Sequence, residues 1–99
     1  MKVTRQDSEA ETVLRIEGSL DALSTVDLRP VMDQLFTDKR RQVTLDLSAL
    51  RLIDSSGVGA IVSLYKRLRQ DGGTLKLQGL RDQPMAIFKL LRLDRVFSL

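Results

Sequence analysis

The 99-residue chain contains no histidine, no cysteine and no tryptophan. Without histidine there is no Ser-His-Asp triad and no imidazole to shuttle protons near neutral pH. The joint absence of His and Cys removes ordinary zinc sites and thiol nucleophiles. With no cysteine, no disulfide can staple the fold, so a hydrophobic core has to hold it. Aromatics number four, Phe36, Tyr65, Phe88 and Phe97. Phe36 and Phe88 fall in apolar helical stripes, which argues against a base-stacking platform. No apolar run approaches the ~18 residues of a membrane-spanning helix. The opening MKVTRQDSEAE is too polar for a signal peptide, so the expectation is a cytoplasmic chain with no membrane insertion. Carboxylates, Lys, Tyr and hydroxyls are what remain for chemistry. A binding or switching module is therefore favoured over an enzyme, with no metal and no cofactor expected.

What is present fits one domain spanning residues 1–99, since domains typically run to about 100–150 residues. Charge is divided unevenly along it. Residues 1–50 carry seven Lys+Arg against nine Asp+Glu, and residues 51–99 carry nine against four. A basic half can meet nucleic acid or an anionic partner, but a solvated helix surface explains it as well.

Short strands alternate with helical patterns. Lys2 to Arg5 and Thr12 to Glu17 read as a hairpin around QDSEAE, the second strand stopped by Gly18. VTLDLS (43–48) and TLKLQ (74–78) alternate apolar and polar residues with period two. Val96 to Leu99 reads as a last short strand. Leu28, Val31, Met32, Leu35 and Phe36 recur at helical spacing over about Thr25 to Asp38. Pro30 conflicts with a start much before Asp27; with Asp27 as N-cap, Pro30 falls in the first turn and the conflict largely disappears. Ile61, Leu64, Tyr65 and Leu68 form a second stripe that ends at Gly72, a candidate C-cap. Ile87, Phe88 and Leu91 form a third helix, opened by Pro84. The predicted order is ββαβαβαβ, an α/β fold with helices packed on a sheet.

The informative segment is LDLSALRLIDSSGVGA (45–60). A strand ends near Ser48, and a short loop follows with Leu50, Leu52 and Ile53 available to bury. Asp54-Ser55-Ser56-Gly57 then opens the second helix. Asp and Ser oxygens accept the free N–H groups of a first helical turn. Gly57 and Gly59 let other atoms approach it closely. A phosphate placed there would be favoured by the helix end and repelled by Asp54. Spacing alone favours the plainer reading, in which all three polar residues act only as caps. The phosphate-loop patterns G-x-x-x-x-G-K-[ST] and G-x-G-x-x-G are absent.

LDLSALRLIDSSGVGAIVSLYKRLRQDGGTLKLQG resembles the core of the STAS domain of bacterial anti-anti-sigma factors (anti-sigma factor antagonists). Ile16-Glu17-Gly18-Ser19-Leu20-Asp21 is similar to the family's strand ending in G-x-L-D. MAIFKLLRLDRVF (85–97) is similar to its late helix and following strand. The resemblance implies a four- to five-stranded mixed sheet with helices mainly on one face. It implies a partner switch in which the unphosphorylated antagonist binds an anti-sigma factor that is a serine kinase. That kinase phosphorylates the residue after the motif acid, and a PP2C-type phosphatase restores it. Carried over by position, the phosphoacceptor is Ser55, with Ser56 as second choice. Ser19, Leu20, Asp21, Asp54, Ser55, Ser56, Gly57 and Gly59 match the partner-binding surface, with both glycines matching a tight helix start. The family commonly adds a further helix after its last strand. This chain stops at Leu99, so that helix is expected to be missing.

Three other readings compete. A constitutive STAS subunit of a transporter, lipid-transport or secretion-regulating complex would use Ser55 only as a cap. A nucleic-acid or anionic-surface binder would use Lys66, Arg67, Arg69, Lys89, Arg92 and Arg95. A carboxylate enzyme would use Asp46 and Asp54, without a base tuned near neutrality.

Overall fold

The computed structural model describes residues 1–99. Strands β1 (Lys2–Asp7) and β2 (Thr12–Leu20) form an antiparallel hairpin, followed by α1 (Thr25–Thr37), β3 (Gln42–Asp46) and β4 (Leu50–Ile53). Then come α2 (Ser55–Gln70), β5 (Thr74–Gln78), α3 (Asp82–Leu90) and α4 (Leu93–Val96). The order is ββαββαβαα. The sheet has five strands, with β1-β2-β3-β5 in a row and β4 pairing with the far end of β2. The β2–β3, β2–β4 and β3–β5 pairs are parallel, so the sheet is mixed as expected.

Register explains why the sheet has one apolar and one polar face. Leu14, Leu45 and Leu77 stand opposite one another across β2, β3 and β5, as do Val43 and Leu75 across the last two. All are buried, together with Ile16 and the helix residues Leu28, Leu35, Ile61, Leu64, Leu68 and Phe88. Period two sends their neighbours to the other face, where Arg15 reaches Asp46 at 3.2 Å. Thr44 is buried on that face because its hydroxyl donates to Glu11 Oε2 at 3.0 Å.

Two expected ends hold. Asp54 caps α2. At its other end Gly72, with φ +75°, donates to Arg69 O and Gly73 donates to Leu68 O. This is a Schellman closure, which needs a left-handed residue after the cap.

Four expectations are corrected. β2 is not stopped at Gly18 but runs on to Leu20, because Gly18 takes φ +93° and the register shifts there. The stretch Leu50 to Ile53 is a strand, β4, since the extended end of β2 supplies a pairing edge. Leu50 and Ile53 are buried while Leu52 is exposed. α1 begins at Thr25, as the apolar spacing indicates, but Ser24 and not Asp27 precedes its first turn, so Pro30 lies inside the helix and removes one backbone bond. The start is moved forward by a hydrogen-bonded turn at Asp21–Ser24. The last segment is not a strand. Arg92 is left-handed at φ 60°, and Phe97 donates its N–H to Leu93 O. The Phe97 ring packs edge-on to Tyr65 at 5.0 Å and tilted to Phe88 at 6.0 Å, which a helical turn permits.

Candidate functional site

The ends of β2 and β4 run side by side, and β4 leads directly into the start of α2. Asp54 donates its backbone N–H to Leu20 O at 3.2 Å. Its Oδ1 accepts the Gly57 N–H at 3.0 Å, and its backbone oxygen accepts the Val58 N–H at 3.0 Å. Asp54 therefore carries the capping role alone. Ser55 and Ser56 occupy the first two helical positions, both exposed, and their hydroxyls bond to no other protein group. The reading in which all three residues are caps does not describe this helix start.

The two glycines differ. A β-carbon on Gly57 would lie 2.5 Å from Leu20 O and 2.7 Å from Ile53 Cγ1. One on Gly59 would meet nothing within 4 Å. Only Gly57 is required for the tight approach of α2 to β2 and β4.

Beside this helix start the segment Ser19 to Ser24 forms a closed turn. Asp21 Oδ1 accepts the N–H groups of Leu23 at 3.1 Å and Ser24 at 3.0 Å. The Ser24 hydroxyl accepts the Asp21 N–H at 2.8 Å and lies 3.0 Å from Ser19 O. The backbone N–H of Ser24, its hydroxyl and the Leu23 N–H hold the Asp21 carboxyl below the usual carboxylate range, against a smaller desolvation effect. Asp21 is thus an ionised turn-forming residue. Ser24, its partner, was not singled out from sequence, although an Asp followed three residues later by Ser is the spacing such a turn uses.

A groove of about 290 Å³ is lined by Ser19, Leu20, Asp21, Leu52, Ile53, Asp54 and Gln83. The structure therefore brings together Ser19, Asp21 and Asp54, which are up to 35 residues apart in the chain. The Leu20 side chain is fully buried and belongs to the core. Ser55, Ser56 and Gly59 lie along α2 outside this groove. Around it the side chains of Leu23 and Val26 stand 85% and 69% exposed, and Leu52 is 54% exposed. A mainly apolar groove with Leu52 in its lining and exposed apolar residues on the neighbouring segment is what a docking surface offers.

Gln83 is the residue that sequence reading could not reach. From α3 its Oε1 accepts the Ile53 N–H and its Nε2 donates to Ile53 O, both at 2.9 Å. The amide satisfies the free edge of β4 as a neighbouring strand would, immediately before Asp54.

Asp46 and Asp54 are engaged in separate local roles, Asp54 in the cap of α2. Asp46 accepts from the Ser48 hydroxyl at 2.7 Å and the Ser48 N–H at 3.1 Å, and it faces Arg15. The Ser48 bonds first, then Arg15, hold it below the usual carboxylate range. Of the basic residues, Arg67 is tied to Asp33 at 2.8 Å and lies 3.9 Å over the Phe36 ring. Arg69 donates to the Tyr65 hydroxyl at 2.9 Å. No group of acidic residues is arranged to hold a metal ion, and no helix is long and apolar enough to cross a membrane.

Comparison with known proteins matches this architecture. The anti-sigma F factor antagonist of Paenibacillus polymyxa is 28% identical over 102 residues, covering all of this chain and 83% of that protein. The crystal structure of an anti-sigma factor antagonist from Mycobacterium paratuberculosis superposes with a TM-score of 0.83 at 20% identity, covering 97% of this chain and 81% of that one. The Bacillus cell fate determinant SpoIIAA in its phosphorylated form superposes with a TM-score of 0.77 at 20% identity, covering 95% and 86%. At such identities the superpositions show a shared fold. The match that reaches the sequence itself spans residues 3–99, and by it the chain belongs to the family described as Mlab, STAS domain.

Proposed function

We propose that this protein is an anti-sigma factor antagonist that switches partners by phosphorylation of Ser55. Unphosphorylated, it docks an anti-sigma factor that is also a serine kinase, through Ser19, Asp21, Asp54 and the first turn of α2. The kinase transfers the γ-phosphoryl group of ATP to Ser55 Oγ, ADP leaves, and the hydroxyl proton passes to a base on the kinase. A PP2C-type phosphatase reverses the step. The chain itself supplies a hydroxyl and a surface, consistent with regulatory relatives named as antagonists.

The observation that carries this reading is the division of labour at the start of α2. Asp54 makes the cap and leaves the Ser55 hydroxyl exposed and without a protein partner. A phosphate adds about −1.5 to −2 charges at pH 7. Placed beside Asp54 and exposed Leu52, it would penalise docking on an acidic or apolar partner face with little change of fold. The test is incubation with the cognate kinase and ATP, followed by peptide mapping and affinity measurement. Phosphate on Ser55 and weakened binding by Ser55→Asp are the expected results. No phosphate on Ser55, or recovery of only a membrane transporter from the source cell, would overturn the reading.

A further inference from the structure

A second, larger groove of about 610 Å³ runs between α1 and α2. Thr25 and Arg29 of α1 face Ser56 and Gly59 of α2 across it, and at its far end Asp33 meets Arg67 at 2.8 Å. The two helices run in the same sense along the groove, with Thr25 and Ser56 at the end away from the Asp33–Arg67 pair. Arg29 is one turn further along α1. Side chains on a helix lean toward its N-terminus, so Arg29 extends back toward the level of Ser56.

The two cations of this groove differ. Arg67 is neutralised by Asp33 and stacked on Phe36. Arg29 is exposed and has no acid within 4 Å and no hydrogen bond to the protein. The one acid lining this groove, Asp33, is engaged by Arg67. Apart from Arg67, the α2 side of the groove is lined by small residues, Ser56, Gly59, Ala60 and Ser63, and a β-carbon on Gly59 would meet nothing within 4 Å. Space, an unpaired guanidinium and an exposed hydroxyl without a protein partner thus meet at one place. Ser55 does not line this groove.

We infer that Ser56 is a second phosphoacceptor and that Arg29 holds its phosphate within the α1–α2 groove, whereas a phosphate on Ser55 has no such partner. The inference rests on the reading of the first turn of α2 as a phosphorylation site. The bond formed is between Ser56 Oγ and the γ-phosphorus of a nucleoside triphosphate, with the diphosphate leaving and the hydroxyl proton taken by the kinase. Guanidinium and phosphate then form a charge-assisted pair, which favours the dianionic phosphate.

The test uses the full chain with phosphoserine installed during synthesis at position 55 or at position 56, with and without Arg29→Gln. Phosphorus NMR follows the second ionisation of each phosphate. Arg29→Gln is expected to raise that of the Ser56 phosphate by about half a unit and to leave that of the Ser55 phosphate in place. Equal responses at both positions, or no response at either, would overturn Arg29 as the phosphate partner. Should the phosphorylated Ser56 chain fail to fold, Ser56→Glu replaces it in urea titrations. It should disfavour folding about threefold more with Arg29→Gln than with Arg29 present, and absence of coupling has the same overturning force. Treatment of the unmodified chain with the cognate kinase, read by peptide mapping in Ser55→Ala, tests the acceptor, and no phosphate on Ser56 removes that role. The installed phosphates need neither kinase nor partner, so failure of the Arg29 effect leaves the Ser55 switch untouched.

Discussion

The backbone oxygen of Leu20 lies 2.5 Å from the place a β-carbon on Gly57 would occupy. The same oxygen accepts the N–H of Asp54 at 3.2 Å. The end of β2 therefore sets both the cap of α2 and the distance of its first turn from the sheet. Gly57→Ala should force these elements apart and cost about 1–3 kcal/mol, as overpacking does. Gly59→Ala, inside the same helix with open space around it, should stabilise by about 0.5–1 kcal/mol. Urea denaturation of the two variants checks the contrast in sign.

Asp54 and Ser55 should separate stability from switching. Asp54→Ala loses the bond from the Gly57 N–H and should cost about 1 kcal/mol. Ser55→Ala loses no hydrogen bond within the protein and should stay within about 0.5 kcal/mol of the parent. A large loss of stability for Ser55→Ala in thermal or urea unfolding would mean that its hydroxyl has a structural role.

Gln83 holds β4 by both backbone groups of Ile53. Gln83→Ala should cost about 1–3 kcal/mol, because it leaves those two groups without partners. The Ile53 amide should lose hydrogen-exchange protection, while the amides of the β3–β5 ladder keep theirs. Amide exchange followed by NMR reads both.

Acid should weaken the fold through named carboxylates. Asp21 is held below its ordinary value by Ser24, Asp46 by Ser48, and Asp7 by Arg5. A folded-state value below the unfolded one means the ionised form favours folding. That stability is fully present above the unfolded value of about 3.9 and is lost as pH falls through the lower folded values. The chain should therefore keep its stability down to about pH 4 and lose it below. Asp21→Asn should lower stability at pH 7 and flatten this acid limb, measured by unfolding midpoints from pH 7 to pH 2.

Leu23, Val26 and Leu52 are exposed around the site and add little to the core. Leu23→Ser and Leu52→Ser should leave the stability within about 0.5 kcal/mol of the parent while weakening binding to the proposed anti-sigma partner by about tenfold each. Affinity measured by calorimetry against that partner, with unfolding run in parallel, checks both halves.

The amino-acid sequence by itself determined what depends on near neighbours. Alternation of Leu45 and Leu47 or Leu75 and Leu77 marks strands, Asp54 three residues before Gly57 marks a cap, and Gly72-Gly73 marks a helix end. The cap and the helix end are decided by bonds reaching four or five residues at most, and the strands show in a period-two pattern that any few residues display. The D-S-S-G block was legible as a helix start for the same reason. What only the tertiary structure decided comes from pairings across long stretches of chain. Leu50 to Ile53 became a strand because β2 continues past Gly18 to meet it. Val96 to Leu99 stayed out of the sheet because Phe97 found Tyr65 and Phe88. Gln83 reaches Ile53 across 30 residues, and Gly57 differs from Gly59 only by what β2 and β4 place against it. Short apolar runs and isolated glycines carry no local signal that tells such outcomes apart, since their conformation follows from which distant surface they are packed against.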